Sequence, residues 1–103
     1  MQKPSERLKR KIEKENLWIF ILRCLLAGKK TGGEIRRELK EKYKLSIGMV
    51  TSYRVLYLLE KGGYVKIEKE KNRKYYVICE KGREELEKGK KILEDYLRIL
   101  KEV

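Results

Sequence analysis

Apolar residues along this chain keep two different rhythms. Leu8 and Ile12 begin a stripe at helical spacing that thickens into the unbroken apolar run 17–22 and resumes beyond Arg23. The pattern predicts an N-terminal helix that follows a short basic tail (residues 1–4). Ser5 caps it and Glu6 suits its positive end. Its stretch 17–27 is apolar on nearly every face, so it is expected to be buried both in its own core and against a partner subunit. Residues 28–33, with three glycines, read as a loop. Ile35, Leu39 and Tyr43 predict a second helix over about 34–43. A third is expected over about 47–61, capped by Ser46, with Tyr53, Leu56 and Leu59 on its inner face and Gly62-Gly63 at its end. From Tyr64 the period drops to two, predicting strands at 64–68 and 75–79 around a charged tip, 69–74. In the last helix, about 80–102, Leu86, Leu93 and Leu100 fall seven apart, Leu97 lies between, and Ile92, Tyr96, Ile99 and Val103 widen the stripe. Gly89 and Lys90 interrupt it, leaving about two heptads. This reads as a dimerisation helix; the alternative is that it only covers its own domain.

The order of these elements gives an α+β, mostly α, fold: a winged helix-turn-helix with an N-terminal helix and a long C-terminal dimerisation helix. In that layout the third helix enters the DNA major groove and the hairpin touches the backbone. At 103 residues the chain is one small domain. Residues 1–79 are expected to form the winged helix with its N-terminal extension, and 80–103 the dimerisation helix of the same unit. A chain of this size buries roughly two thirds of its unfolded surface, which favours oligomerisation.

Charge sharpens this picture. The net charge is +12, of which residues 1–15 carry +3 and residues 29–44 and 61–74 carry +4 each, while residues 80–103 are neutral. An excess confined to particular segments is the mark of a polyanion-binding face. Abundant Lys and Glu with few Gln, Asn and Asp lean towards a hyperthermophilic source. No apolar run approaches the roughly 20 residues of a membrane span, and the charged start lacks the features of a signal peptide, so a cytoplasmic location without membrane contact is expected. Cys24 and Cys79 are isolated and there is no histidine. No metal site, cofactor or acid–base pair can be drawn from such residues, and no enzyme is expected. The cysteines read as small buried apolar groups; a redox-sensing pair is the alternative. Glutamates fall instead at salt-bridge spacing from lysines, as with Glu87 and Lys91.

The residues Thr51-x-Tyr53-x-x-Leu56-x-x-Leu59-Glu60-x-x-Gly63, then Arg73-x-Tyr75-Tyr76 and Glu80-x-Gly82-x-x-x-Leu86, resemble the PadR-like family of winged helix-turn-helix transcriptional regulators. Ile21-Leu22, Leu25-Leu26 and Gly32-x-Glu34-Ile35 match the upstream part. The resemblance covers about residues 17–100, and the single C-terminal helix looks like the family's short-tailed branch. Gly33, Arg54 and Cys79 stand where the family usually has an aromatic residue, a proline and a capping threonine.

Candidate contacts follow. On the third helix Thr51, Ser52, Arg54 and Tyr57, with Ser46 at its N-terminal end, offer hydroxyls and an arginine of the kind that reach bases and phosphates. Tyr53 is either core or, as the resemblance implies, a phosphate contact. Arg36, Arg37 and Lys40 on the second helix and Lys71, Arg73 and Lys74 on the hairpin are candidates for the backbone. Leu86, Ile92, Leu93, Tyr96, Leu97 and Leu100 are the candidate dimerisation residues. Trp18 reads as core; the resemblance implies, as the alternative, stacking with a flat aromatic effector at a dimer interface. The expected function is a homodimeric, sequence-specific regulator on double-stranded DNA, acting as a repressor. An architectural DNA-coating protein and a protein-interaction module are the alternatives.

Overall fold

The computed structural model describes residues 2–102. Among them the chain runs α1 (Pro4–Glu15), α2 (Leu17–Leu25), β1 (Lys30–Thr31), α3 (Gly32–Tyr43), α4 (Met49–Lys61), β2 (Val65–Glu70), β3 (Arg73–Ile78) and α5 (Glu80–Lys101). Met1 of the basic tail and Val103 of the last stripe lie outside the described residues.

The N-terminal helix is two helices. Asn16 leaves the helical conformation (φ −124°, ψ 31°) and separates α1 from α2. α1 buries no residue, and Lys3 rather than Ser5 precedes its first turn, with Pro4 at the position that tolerates a missing N–H. α2 is the centre of the core: Leu17, Ile21, Leu22 and Leu25 are each at most 1% exposed. Around it pack Ile35 and Leu39 of α3, Leu56 and Leu59 of α4, Val65 of β2, Tyr76 and Ile78 of β3, and Leu86 of α5.

The two glycines expected in a loop instead open α3. Thr31 caps that helix: its Oγ1 accepts from the Glu34 N–H (3.2 Å) while the Glu34 carboxylate accepts from the Thr31 N–H (2.8 Å). These hydrogen bonds to Thr31 hold the Glu34 carboxyl below its ordinary range, with the Arg73 and Arg37 cations acting the same way. α4 starts at Met49 behind Gly48, so Ser46 does not cap it.

The sheet has the order β1-β3-β2 and is antiparallel. The hairpin strands run longer than their alternation suggested: Glu70 pairs with Arg73, leaving Lys71-Asn72 as a two-residue turn with positive φ (47° and 65°). That is the hairpin turn whose twist suits antiparallel strands. β1, hidden in the expected loop, pairs Lys30 with Tyr76 and Thr31 with Tyr75, which draws the start of α3 up to the hairpin.

α5 divides into two parts. Its first turns cross the core, and Gly82 is required there because a Cβ would collide with the Tyr64 carbonyl. Leu86 is 1% exposed, so it belongs to the domain's own core and not to a dimer seam. Beyond Gly89, residues 90–102 are exposed except for half-buried Asp95. The free end makes the molecule long, 55 × 32 × 22 Å, with a radius of gyration of 14.9 Å against about 13 Å for a compact chain of this size. Along it Glu87 pairs with Lys90 (3.1 Å) and Lys91 with Asp95 (2.6 Å), not Glu87 with Lys91.

Candidate nucleic-acid interface

α4 is built differently from the other surface helices. α1, α3 and α5 carry Glu6, Glu34 and Glu80 in their first turns, while α4 carries no acid there. A helix N-terminus is partly positive and is usually complemented by its own carboxylates; this one is left for something else to complement. Its buried face is Ser52, Leu56 and Leu59, with Val55 half-buried.

That phase corrects the expected one by a residue. Ser52 is 1% exposed and its hydroxyl donates to the Met49 carbonyl (3.0 Å), so it faces the core and is withdrawn from the contact set. Tyr53 is exposed at the edge, with its hydroxyl over Gly32, where a Cβ would lie 2.6 Å from that oxygen. The tyrosine thus locks α4 against the start of α3. The outward residues are Val50, Arg54, Tyr57 and Lys61, at i, i+4, i+7 and i+11, with Thr51 and Leu58 on one flank and Met49 on the other. From Met49 to Leu59 the only charge is Arg54, in a chain that is 43% charged.

The flanks are basic. Arg36, Arg37, Lys40 and Ser46 line one shallow depression of about 330 Å³ beside the start of α4, joined by Gly33 and Ile47. Gly33, where the family resemblance expects an aromatic residue, leaves this depression open. On the hairpin, Lys71, Arg73 and Lys74 are exposed. Its acids are partly tied up: Lys29 of the loop before β1 pairs with Glu70, lies 3.9 Å from Glu68, and sits over the Tyr75 ring. That leaves the hairpin's own cations less compensated. Lys71 occupies the left-handed region, which costs a non-glycine residue roughly 1 kcal/mol, and its charge is held at the very tip.

A second concave surface lies on the other side of the core. Ile12, Trp18, Ile19, Phe20, Tyr43, Gly89, Ile92 and Leu93 help to line a largely apolar cleft of about 470 Å³ between α1, α2 and α5. Trp18 is half-buried at its wall, with its indole N–H donating to the Asn16 side chain (3.4 Å). The cleft opens onto the exposed face of distal α5, where Ile92, Leu93, Tyr96, Leu97, Ile99 and Leu100 are between 50% and 79% exposed. Sequence periodicity found those residues. It missed Met49 and Val50, which are 59% and 84% exposed, because their exposure depends on where α4 begins. Cys24 is buried, and burial, with the Glu38 carboxylate acting in the same sense, pushes its thiol up to about 12, which works against thiolate chemistry.

Comparison with known proteins agrees with this geometry. The family model described as transcriptional regulator PadR-like family matches residues 21–88. A transcriptional regulator from Clostridium thermocellum is 25% identical, with a TM-score of 0.78 over 87% of this chain and 94% of that one. A PadR-like transcription factor from Bacteroides fragilis is 22% identical, with a TM-score of 0.76 over 91% and 95% of the two chains. Bacillus subtilis PadR, solved in complex with operator DNA, is 24% identical, with a TM-score of 0.63 over 70% of this chain and 45% of that one. No curated protein matches the chain.

Proposed function

The chain belongs to the transcriptional regulator PadR-like family, and from that premise we propose that it acts as a homodimeric, sequence-specific repressor on double-stranded DNA. In this reading α4 lies in the major groove, the hairpin tip grips the backbone, and residues 80–103 hold two copies together as part of one structural unit with residues 1–79. The observation that carries it is the contrast on one surface: a helix that from Met49 to Leu59 holds a single charge, Arg54, between flanks rich in Arg and Lys. Base edges are read by hydrogen bonds and apolar contacts, phosphates by cations, and the surface sorts its residues accordingly.

Each residue then has a task. Arg54 pairs with a guanine edge; Thr51 and Tyr57 flank it; Tyr53, Ser46, Arg36, Arg37 and Lys40 hold phosphates; Lys71, Arg73 and Lys74 hold the backbone further along. A dimer presents two α4 helices about 34 Å apart, so the operator is a pseudo-palindrome. Occupying a promoter is sufficient for repression and needs no catalytic step, which fits a cytoplasmic regulator. The cleft beside Trp18 is where a flat aromatic effector would sit, covered by the second copy.

Fluorescence anisotropy on two duplexes of about 30 base pairs tests this, one from upstream of the chain's own gene and one scrambled, each at two salt concentrations. Binding to the first that is about a thousandfold tighter supports the regulator. Equal, strongly salt-dependent binding to both favours the architectural alternative, which the net charge of +12 also fits. An absence of binding to either duplex points to a protein-interaction module.

A further inference from the structure

We propose that Val50 is a base-reading residue that recognises the C5-methyl group of a thymine next to the guanine read by Arg54; the inference rests on the DNA-binding reading above. Val50 sits in the first turn of α4, is 84% exposed, and lies one turn before Arg54 on the same outward face. The fold gains nothing from it. At that exposure the side chain buries almost no surface, and a β-branched residue is a poorer helix former than the charged residues used elsewhere on this chain's helices. Met49 beside it is 59% exposed, and neither residue has an acid in the same turn.

A single exposed valine is ordinary; its setting here is not. The depression lined by Arg36, Arg37 and Lys40 extends to Ser46 and Ile47, which lie three to four residues before Val50 in the chain. An electrically neutral protein partner for an apolar tip would not select a cationic rim. A duplex would, because its phosphates meet the cations while the groove floor offers one apolar group, the thymine methyl. Side chains one helical turn apart are about 5–6 Å apart at Cβ. With base pairs spaced about 3.4 Å, the thymine falls within one or two positions of the guanine.

The test starts from duplexes enriched by the full-length chain from a random library. Each thymine is then replaced by deoxyuridine, which lacks only the methyl group, and affinities are compared for the wild type, Val50→Ala and Arg54→Ala. Val50 is exposed, so its substitution leaves folding intact. The expected result is one thymine per half-site whose replacement weakens wild-type binding about fourfold, the worth of burying one methyl group. That effect disappears in Val50→Ala, and it maps within two base pairs of the guanine whose preference Arg54→Ala abolishes. Enriched sites with no sensitive thymine, or with a sensitivity that Val50→Ala retains, overturn the proposal while leaving sequence-specific binding in place. A library that enriches no sequence removes the specific reading itself, and this inference with it.

Discussion

α4 and the distal half of α5 both present apolar side chains to solvent, yet they do so in opposite electrical settings. The outward face of α4 carries Val50, Tyr57 and Leu58 beside segments of net +4 each, whereas Ile92, Leu93, Tyr96, Leu97 and Leu100 belong to a segment with no net charge. Exposed apolar area alone says that a surface has a partner. The charge around it says which kind. Apolar contacts framed by cations suit a polyanion with readable edges; a neutral apolar stripe at helical spacing suits another copy of itself, where a net charge would repel its twin.

The widest consequence of that comparison is for α5. Leu93→Asp with Leu97→Asp is expected to yield monomers by analytical ultracentrifugation and to lower operator affinity by two to four decades, since a monomer forfeits the second half-site. A dimer that survives both substitutions would break the comparison on this side. Leu86→Ala, on the same helix, acts differently: it should lower unfolding free energy by about 2–5 kcal/mol in a denaturant titration, because it opens a cavity in the core, while leaving the dimer of the folded protein intact. Arg54→Ala on α4 should cost about 1–3 kcal/mol on the operator and little on scrambled DNA; equal losses on both would remove its role in base reading. The smallest effects belong to the hairpin. Lys74→Ala or Arg73→Ala should weaken binding to all sequences alike and reduce the slope of affinity against salt by about one each.

Both faces were visible in the sequence to different degrees. The α5 stripe was legible because its seven-residue spacing persists for several turns, yet Leu86 belongs to the same series and is buried in the domain. Spacing cannot tell which partner an apolar residue meets. On α4 the ambiguity was one of phase. Tyr53 and Ser52 both lie at helical distance from Leu56, and apolar size favoured the tyrosine; close packing of α4 against α2 and α3 instead selected the small serine and left the ring at the edge over Gly32. The break at Asn16 was masked by apolar residues on both sides of it. The hairpin turn was masked by charge: Asn72 is the only residue of 69–74 with a strong preference for the left-handed region, and its neighbours read as a loop. β1 is too short to show a period at all and exists through its pairing with β3. The basic flanks, by contrast, followed directly from counting charge along the chain.

Hydrogen–deuterium exchange of the dimer, with and without its operator duplex, addresses both faces in one experiment. DNA is expected to slow exchange in residues 46–61 and 69–74 and to leave residues 92–101 unchanged, while dilution to monomer speeds exchange in 92–101. DNA-dependent protection centred on 92–101, with none in 46–61, would contradict it.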